Sequence, residues 1–146
     1  MARLRVAATI SAPLEDVYRF VTAYGPEGPV SEELFAEKNG DIIGHDGAAI
    51  LTREDGPGGA LDWSCTFEYP ESRMMQAVDS NWSDREDRFR LTAGGTRWVV
   101  TFLTTRSGLL GFMQWVVFRV ATSRRVRRVV VKPVVAHFHD GAGREE

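Results

Sequence analysis

RLRVAATISAPLEDVYRFV (Arg3–Val21) is the stretch that decides how this chain folds. Leu4, Val6, Ala8 and Ile10 alternate with Arg3, Arg5 and Thr9, the period of two of a strand with one face buried. Ser11-Ala12-Pro13 then leads straight into a helix. Pro13 suits the first helical turn, where a missing N–H costs nothing, and Glu15 and Asp16 bring negative charge to the positive end of the helix. Leu14, Val17, Tyr18 and Val21 recur at helical spacing and give it one apolar face, and Tyr24-Gly25-Pro26 ends it. Ser31, followed by Glu32 and Glu33, predicts the capped start of a second, short helix through Glu37, closed by Asn39-Gly40.

Outward from this opening, the pattern is β as far as Arg106. Strands are expected at Asp41–Ile43, Ala48–Glu54, Leu61–Tyr69, Arg73–Asp79, Asp87–Thr92 and Thr96–Thr105, separated by glycine-rich breaks such as Asp55–Gly59 and Ala93-Gly94-Gly95. Trp63, Cys65 and Phe67 share one strand face, as do Trp98, Val100 and Phe102. Arg88 and Arg90 alternate with Phe89 and Leu91, so that strand is expected to turn charge to solvent and apolar groups to the core. From Ser107 to about Phe138 a helix is preferred: Leu109–Phe118 is apolar nearly all round, the second half is basic, and no turn signal separates Gly111 from Lys132. Pro133 should kink or end it, and residues from about His137 read as a tail. Strand, helix, many strands and a terminal helix describe an α+β protein whose curved sheet wraps a helix, an architecture that usually encloses an apolar cavity.

Composition narrows the function. At 146 residues the chain is sized for a single domain, and it can bury a core without staples. A net charge of −2 argues against a dedicated nucleic-acid binder, although Arg124, Arg125, Arg127, Arg128 and Lys132 crowd one stretch of the last helix. Cys65 is the only cysteine, so no internal disulfide can form. No secretory leader precedes the first strand, which makes the cytoplasm the expected location and Asn81-Trp82-Ser83 a chance glycosylation match. The apolar run before Arg119 falls short of the roughly 20 residues a membrane span requires.

Reactive constellations are sparse. Ser64 and Ser107 lack the glycine elbow that exposes a catalytic serine, and Cys65 alternates within an apolar face, where an inert thiol is expected. His137, His139 and Asp140 offer three donors in a tail without further support, so no metal is expected, and no glycine-rich loop precedes a helix to hold a phosphate cofactor. Asp79, Asp84, Glu86 and Asp87 lie along one hairpin and are expected to face water.

The bulky set Trp63, Phe67, Phe89, Trp98, Phe112, Met113 and Trp115 reads first as an ordinary core. A strongly bent sheet beneath a helix nevertheless leaves space that such side chains do not fill, and the gap then serves a ligand. Val100 shares the face of Trp98. Gln76 is placed inward with Met74 and Val78, where a ligand carbonyl or hydroxyl would satisfy it; a slip of one residue would turn Met75, Ala77 and Asp79 inward instead.

Val6–Val21, with its strand ending in Ala12-Pro13 and its acidic, aromatic helix, resembles the signature of the START-like (SRPBCC) superfamily, in its polyketide cyclase/dehydrase and lipid-transport branch. Tyr69-Pro70-Glu71-Ser72-Arg73 is similar to that family's Pro-x-x-Arg link between central strands, and Gly94-Gly95-Thr96-Arg97 to its Gly-Gly-Thr hairpin. The resemblance implies a helix-grip fold: a seven-stranded antiparallel sheet around a long C-terminal helix, with two short helices after the first strand. It also implies a deep pocket for lipids, polyketides or sterols. Cyclases of the family place Arg, Tyr, Asp or His in that pocket, and the nearest candidates here are His45, Arg53 and Tyr69.

Three functions follow as expectations. The leading one is a binding, or transport, protein for an apolar small molecule, lined by Trp63, Phe67, Met74, Gln76, Phe89, Trp98, Val100, Phe112 and Trp115. The second is a cyclase or dehydratase working by proton transfer in the same cavity. The third is an interaction module that uses the Arg-rich terminal helix against an acidic partner or membrane surface. Neither cofactor nor nucleic-acid partner is expected, and a homodimer is left open.

Overall fold

The computed structural model describes residues 2–56, 59–78, 84–104 and 123–144. The first strand, β1 (Ala2–Ile10), leads into α1 (Leu14–Thr22). Two two-residue strands, β2 (Tyr24–Gly25) and β3 (Gly28–Pro29), pair with each other before α2 (Glu32–Asn39), whose first turn is capped by Ser31 Oγ accepting from the Leu34 N–H at 3.1 Å. Six antiparallel strands follow: β4 (Asp41–Asp46), β5 (Ala49–Gly56), β6 (Gly59–Glu68), β7 (Ser72–Val78), β8 (Asp84–Thr92) and β9 (Gly95–Thr104). With β1 they form one seven-stranded sheet in the order β1-β9-β8-β7-β6-β5-β4, the α+β architecture expected from the sequence.

The junction after β1 is fixed by the hairpin between β8 and β9. Thr96 Oγ1 donates to the Ala12 carbonyl at 2.8 Å, tying the start of β9 to the entrance of α1. Gly95 adopts a φ of 125°, and a Cβ there would collide with the Ile10 carbonyl, so only glycine lets the hairpin approach this closely.

The described part of the C-terminal helix comprises α3 (Ser123–Val126), a π turn at Arg127–Val131 and α4 (Lys132–Arg144). Pro133 therefore does not end it. A π turn just upstream loosens the ladder where proline lacks a donor and its ring would meet the preceding turn, so the helix passes through. Helical structure extends beyond His137, whose ring lies flat on Phe20 at 4.0 Å. The apolar first half of the expected helix, Leu109–Phe118, lies outside the described residues, and so does the Asn81–Ser83 triplet. Among the described residues no helix is long and apolar enough to cross a membrane.

Register assigns the two faces of the sheet. Val6, Val100, Asp87, Arg73 and Phe67 form one row across β1, β9, β8, β7 and β6, and Leu4, Phe102, Arg85, Met75, Cys65 and Ile50 form the next. Both rows belong to the inner face, where Val17, Tyr18 and Val21 of α1 and Val126, Val131 and Val134 of the C-terminal helix pack against Val6, Ile10, Phe89, Trp98 and Val100. Trp63, Cys65 and Met75 form a separate apolar cluster further along the same face. Leu91, expected in the core, is 67% exposed near the tip of the β8–β9 hairpin.

Candidate functional site

An ionic network lies within the inner face. Arg73 on β7 and Asp87 on β8 are directly opposite one another, and both side chains are almost completely buried. Nη2 of Arg73 donates to Asp87 Oδ2 in a short ion pair, and Nε of Arg85 donates to the other carboxylate oxygen at 3.0 Å. Arg73 Nη1 donates to Asn39 Oδ1 at 2.9 Å and, more weakly, to the Val21 carbonyl at 3.4 Å. Asn39 in turn donates to the Thr22 carbonyl at 2.7 Å and to that of Phe35 at 3.3 Å. One guanidinium thus reaches a carbonyl at the end of α1 directly and the end of α2 through the Asn39 side chain, locking both to the sheet. Tyr18 completes the clamp, its hydroxyl donating to the Ser72 carbonyl at 2.7 Å.

Burial alone would raise the Asp87 carboxyl, but Arg73 and Arg85 more than reverse this and hold it below the usual carboxylate range. Burial draws the Arg73 guanidinium down from its usual value, with Asp87 opposing. Two cations therefore share one anion, leaving the network with a surplus positive charge. Arg85 carries the accessible part of it. Its side chain is 20% exposed, its guanidinium stands 5.9 Å from the Phe102 ring, and its terminal N–H groups have no partner among the described residues.

The aromatic candidates divide between two tasks. Phe89 and Trp98 stack in parallel at 6.3 Å, Phe89 meets Tyr18 edge to face at 5.0 Å, and Val100 is fully buried beside them, so this trio builds the core beneath α1. The Trp98 indole N–H is buried without an acceptor among the described residues. Trp63 and Phe67 lie on the other half of the face: Trp63 donates from Nε1 to Glu54 at 2.8 Å, and Phe67 stacks on Tyr24 at 4.2 Å. Phe112, Met113 and Trp115 are outside the described residues.

Met74 and Gln76 are corrections. Pairing of Cys65 with Met75 and Phe67 with Arg73 turns Arg73, Met75 and Ala77 inward, so Met74 and exposed Gln76 occupy the outer face. Recruitment of Arg73 by Asp87 and Asn39 fixes that register. Asp87 is a correction of the opposite kind, a carboxylate expected in water and found sealed. The signal for it was present: with Phe89 inward, the period of two places Asp87 on the same face.

The Tyr18 hydroxyl and the Cys65 thiol lie near the network, and both are occupied or buried. Cys65 is buried, 3.7 Å from Thr52 Oγ1, and burial pushes its thiol up, away from the reactive thiolate. His45, Arg53 and Tyr69 do not converge: His45 is exposed on edge strand β4, Arg53 forms a two-pronged bond to Asp62 on the outer face, and Tyr69 packs edge-on to Tyr18. Among the described residues there is no group of His, Cys, Asp and Glu able to hold a metal. Chemically, Arg85 can donate to an acceptor or anion, and its neighbours in the row, Met75 and Cys65, are buried apolar groups.

No protein-family model matches the chain, and none of the curated proteins is similar to it in sequence. Solved structures are similar in fold. TTHA0849 from Thermus thermophilus superimposes with a TM-score of 0.60 at 16% identity, over 95% of this chain and 98% of that one. BH1534 from Bacillus halodurans gives a TM-score of 0.59 at 16% identity, over 92% and 99%. DynU16, a protein in the dynemicin biosynthetic locus, gives a TM-score of 0.52 at 16% identity over 88% of this chain, which spans 48% of that longer protein. What the chain shares with all three is the fold: an antiparallel sheet with its helices gathered on one face.

Proposed function

We propose that the protein binds an apolar small molecule carrying one anionic or strongly accepting group, held on the inner face beside Trp63, Cys65 and Met75 with its polar end on Arg85. The observation that carries this reading is the placement of Arg85. It interrupts an otherwise apolar row, Leu4, Phe102, Met75, Cys65 and Ile50, and its charge is anchored by Asp87 but not fully used. A half-buried guanidinium with free N–H groups is costly unless something accepts from it, and a carboxylate or polarised carbonyl fits its planar fork. Apolar burial at about 25 cal/mol per Å² would supply most of the affinity. The START-like resemblance of Val6–Val21 and of the Gly94–Arg97 hairpin supports a lipid- or polyketide-like ligand.

Binding is favoured over proton-transfer catalysis because His45, Arg53 and Tyr69 are dispersed. Tryptophan fluorescence and thermal melting with a medium-chain fatty acid, the matching alcohol and a polycyclic aromatic acid test the reading. The acids are expected to raise the melting temperature more than the alcohol, and Arg85→Met to remove the difference. No response to any of the three, or an unchanged preference in Arg85→Met, would overturn it.

A further inference from the structure

The outer face of the sheet holds a second feature, independent of the inner network. A groove of about 960 Å³ runs over β1, β9 and β8. Five arginines line it: Arg3 and Arg5 from β1, Arg97 from β9, and Arg88 and Arg90 from β8. Arg88 is engaged by Glu86 at 2.8 Å, whereas Arg3, Arg5, Arg90 and Arg97 have no ion-pair partner among the described residues. Arg90 and Arg97 are paired directly across the two strands, the position at which like charges repel most strongly in a sheet. The fold keeps two cations side by side where a neutral pair would be more stable.

Shape and lining select the occupant. From the Arg3–Leu103 pair to Arg97 is six residues along β9, roughly 20 Å at the usual rise, and three strands span about 10 Å. Val99 and Leu103 form an apolar floor between the arginines, with Thr101 between them. Glu68 at the end of β6 and Glu71 in the turn after it also line the groove, and Glu86 lies on β8 itself, held by Arg88. A bare phosphate is too small for this length. A single-stranded nucleic acid needs ring platforms for its bases, and the only aromatic residue among those described along the groove, Phe89, is buried on the inner face. A flat bilayer would not follow a groove. An extended acidic polypeptide with interleaved apolar side chains matches length, floor and charge together.

We propose that this groove is a docking site for an extended, acidic segment of a partner protein, its carboxylates taken by Arg3, Arg5, Arg90 and Arg97 and its apolar side chains by Val99 and Leu103. Guanidinium groups suit this role because each grips a carboxylate through two parallel bonds.

The test is fluorescence anisotropy with a labelled twelve-residue peptide of repeating Glu-Glu-Leu-Leu, which when extended presents both residue types on each face, against a dT oligonucleotide and phosphatidylcholine/phosphatidylserine vesicles as competitors. Wild-type protein should bind the peptide with an affinity that falls as salt rises, and Arg5→Gln/Arg90→Gln/Arg97→Gln should weaken it roughly tenfold or more. Melting of that triple variant should be no lower than wild type, since it removes repulsion, which keeps lost binding distinct from lost folding. Replacing Arg124, Arg125, Arg127 and Arg128 with Gln should leave peptide binding unchanged. The proposal is overturned if the peptide does not bind, if the groove variant binds it as wild type does, if the terminal-helix variant is the one that loses it, or if oligonucleotide or vesicles displace it at lower concentration than unlabelled peptide.

Discussion

Arg73 and Asp87 sit directly opposite each other on β7 and β8 and form an ion pair sealed from solvent, with Arg73 reaching on to the ends of both short helices. The pair is an assembly point more than a source of net stability, since two charges taken out of water lose in hydration much of what they gain in attraction. Its removal in halves is another matter.

Replacing Asp87 with Asn should destabilise the fold by about 3–5 kcal/mol, because Arg73 would remain charged and buried beside a neutral group. The double variant Arg73→Met/Asp87→Leu should cost less than the sum of Arg73→Met and Asp87→Leu. Urea denaturation of wild type, the two single variants and the double variant measures the coupling directly.

Acid should act through the same carboxylate. The folded-state value of Asp87 lies below its unfolded value of about 3.9, so its contribution is fully present above that pH and is lost as pH falls through the folded value. At the alkaline end, burial raises the Tyr18 phenol, so stability is held below about pH 10 and declines as pH rises beyond it. Urea midpoints collected across pH should fall at both ends, with the acid decline reduced in Arg73→Met/Asp87→Leu and the alkaline one in Tyr18→Phe.

Adjacent glycines should behave differently. Gly95→Ala places a methyl group against the Ile10 carbonyl at a positive φ and should cost at least ~1 kcal/mol. A Cβ at Gly94 meets only the Thr9 methyl at 3.6 Å, an ordinary contact, so Gly94→Ala should melt close to wild type. Differential scanning calorimetry of both separates backbone collision from a general dislike of alanine in the turn.

Cys65 should resist modification. Its burial and raised thiol value predict slow reaction with a disulfide reagent in the native protein and fast reaction in urea, with the native rate following global unfolding. A fast native reaction would show that the Trp63–Cys65–Met75 cluster opens on its own.

Much of the scaffold was legible because alternation is a strong signal where one face is wholly apolar. Leu4, Val6, Ala8 and Ile10 declared β1, Trp98, Val100 and Phe102 declared β9, and the structure pairs them in register. The site was harder to read. In β7, Met74, Met75, Ala77 and Val78 place apolar groups on both faces, so alternation could not choose, and a charged residue looked like the solvent side. Arg73 and Asp87 are inside because they satisfy each other, a fact of pairing between strands that neither strand records alone. The register of β7 and with it Gln76 followed from that unseen partner.

The bond from Thr96 to Ala12 joins positions 84 residues apart, and β1 has β9 as its sole neighbour among the described strands of the sheet. Every other adjacent pair of strands is joined in sequence and can zip locally. On a ribosome, then, β1 emerges early but must wait for β9 to be translated, its backbone meanwhile open to foreign strands. The slow step of folding should be this long closure, and nascent chains stopped before Gly95 are where a chaperone has most to do.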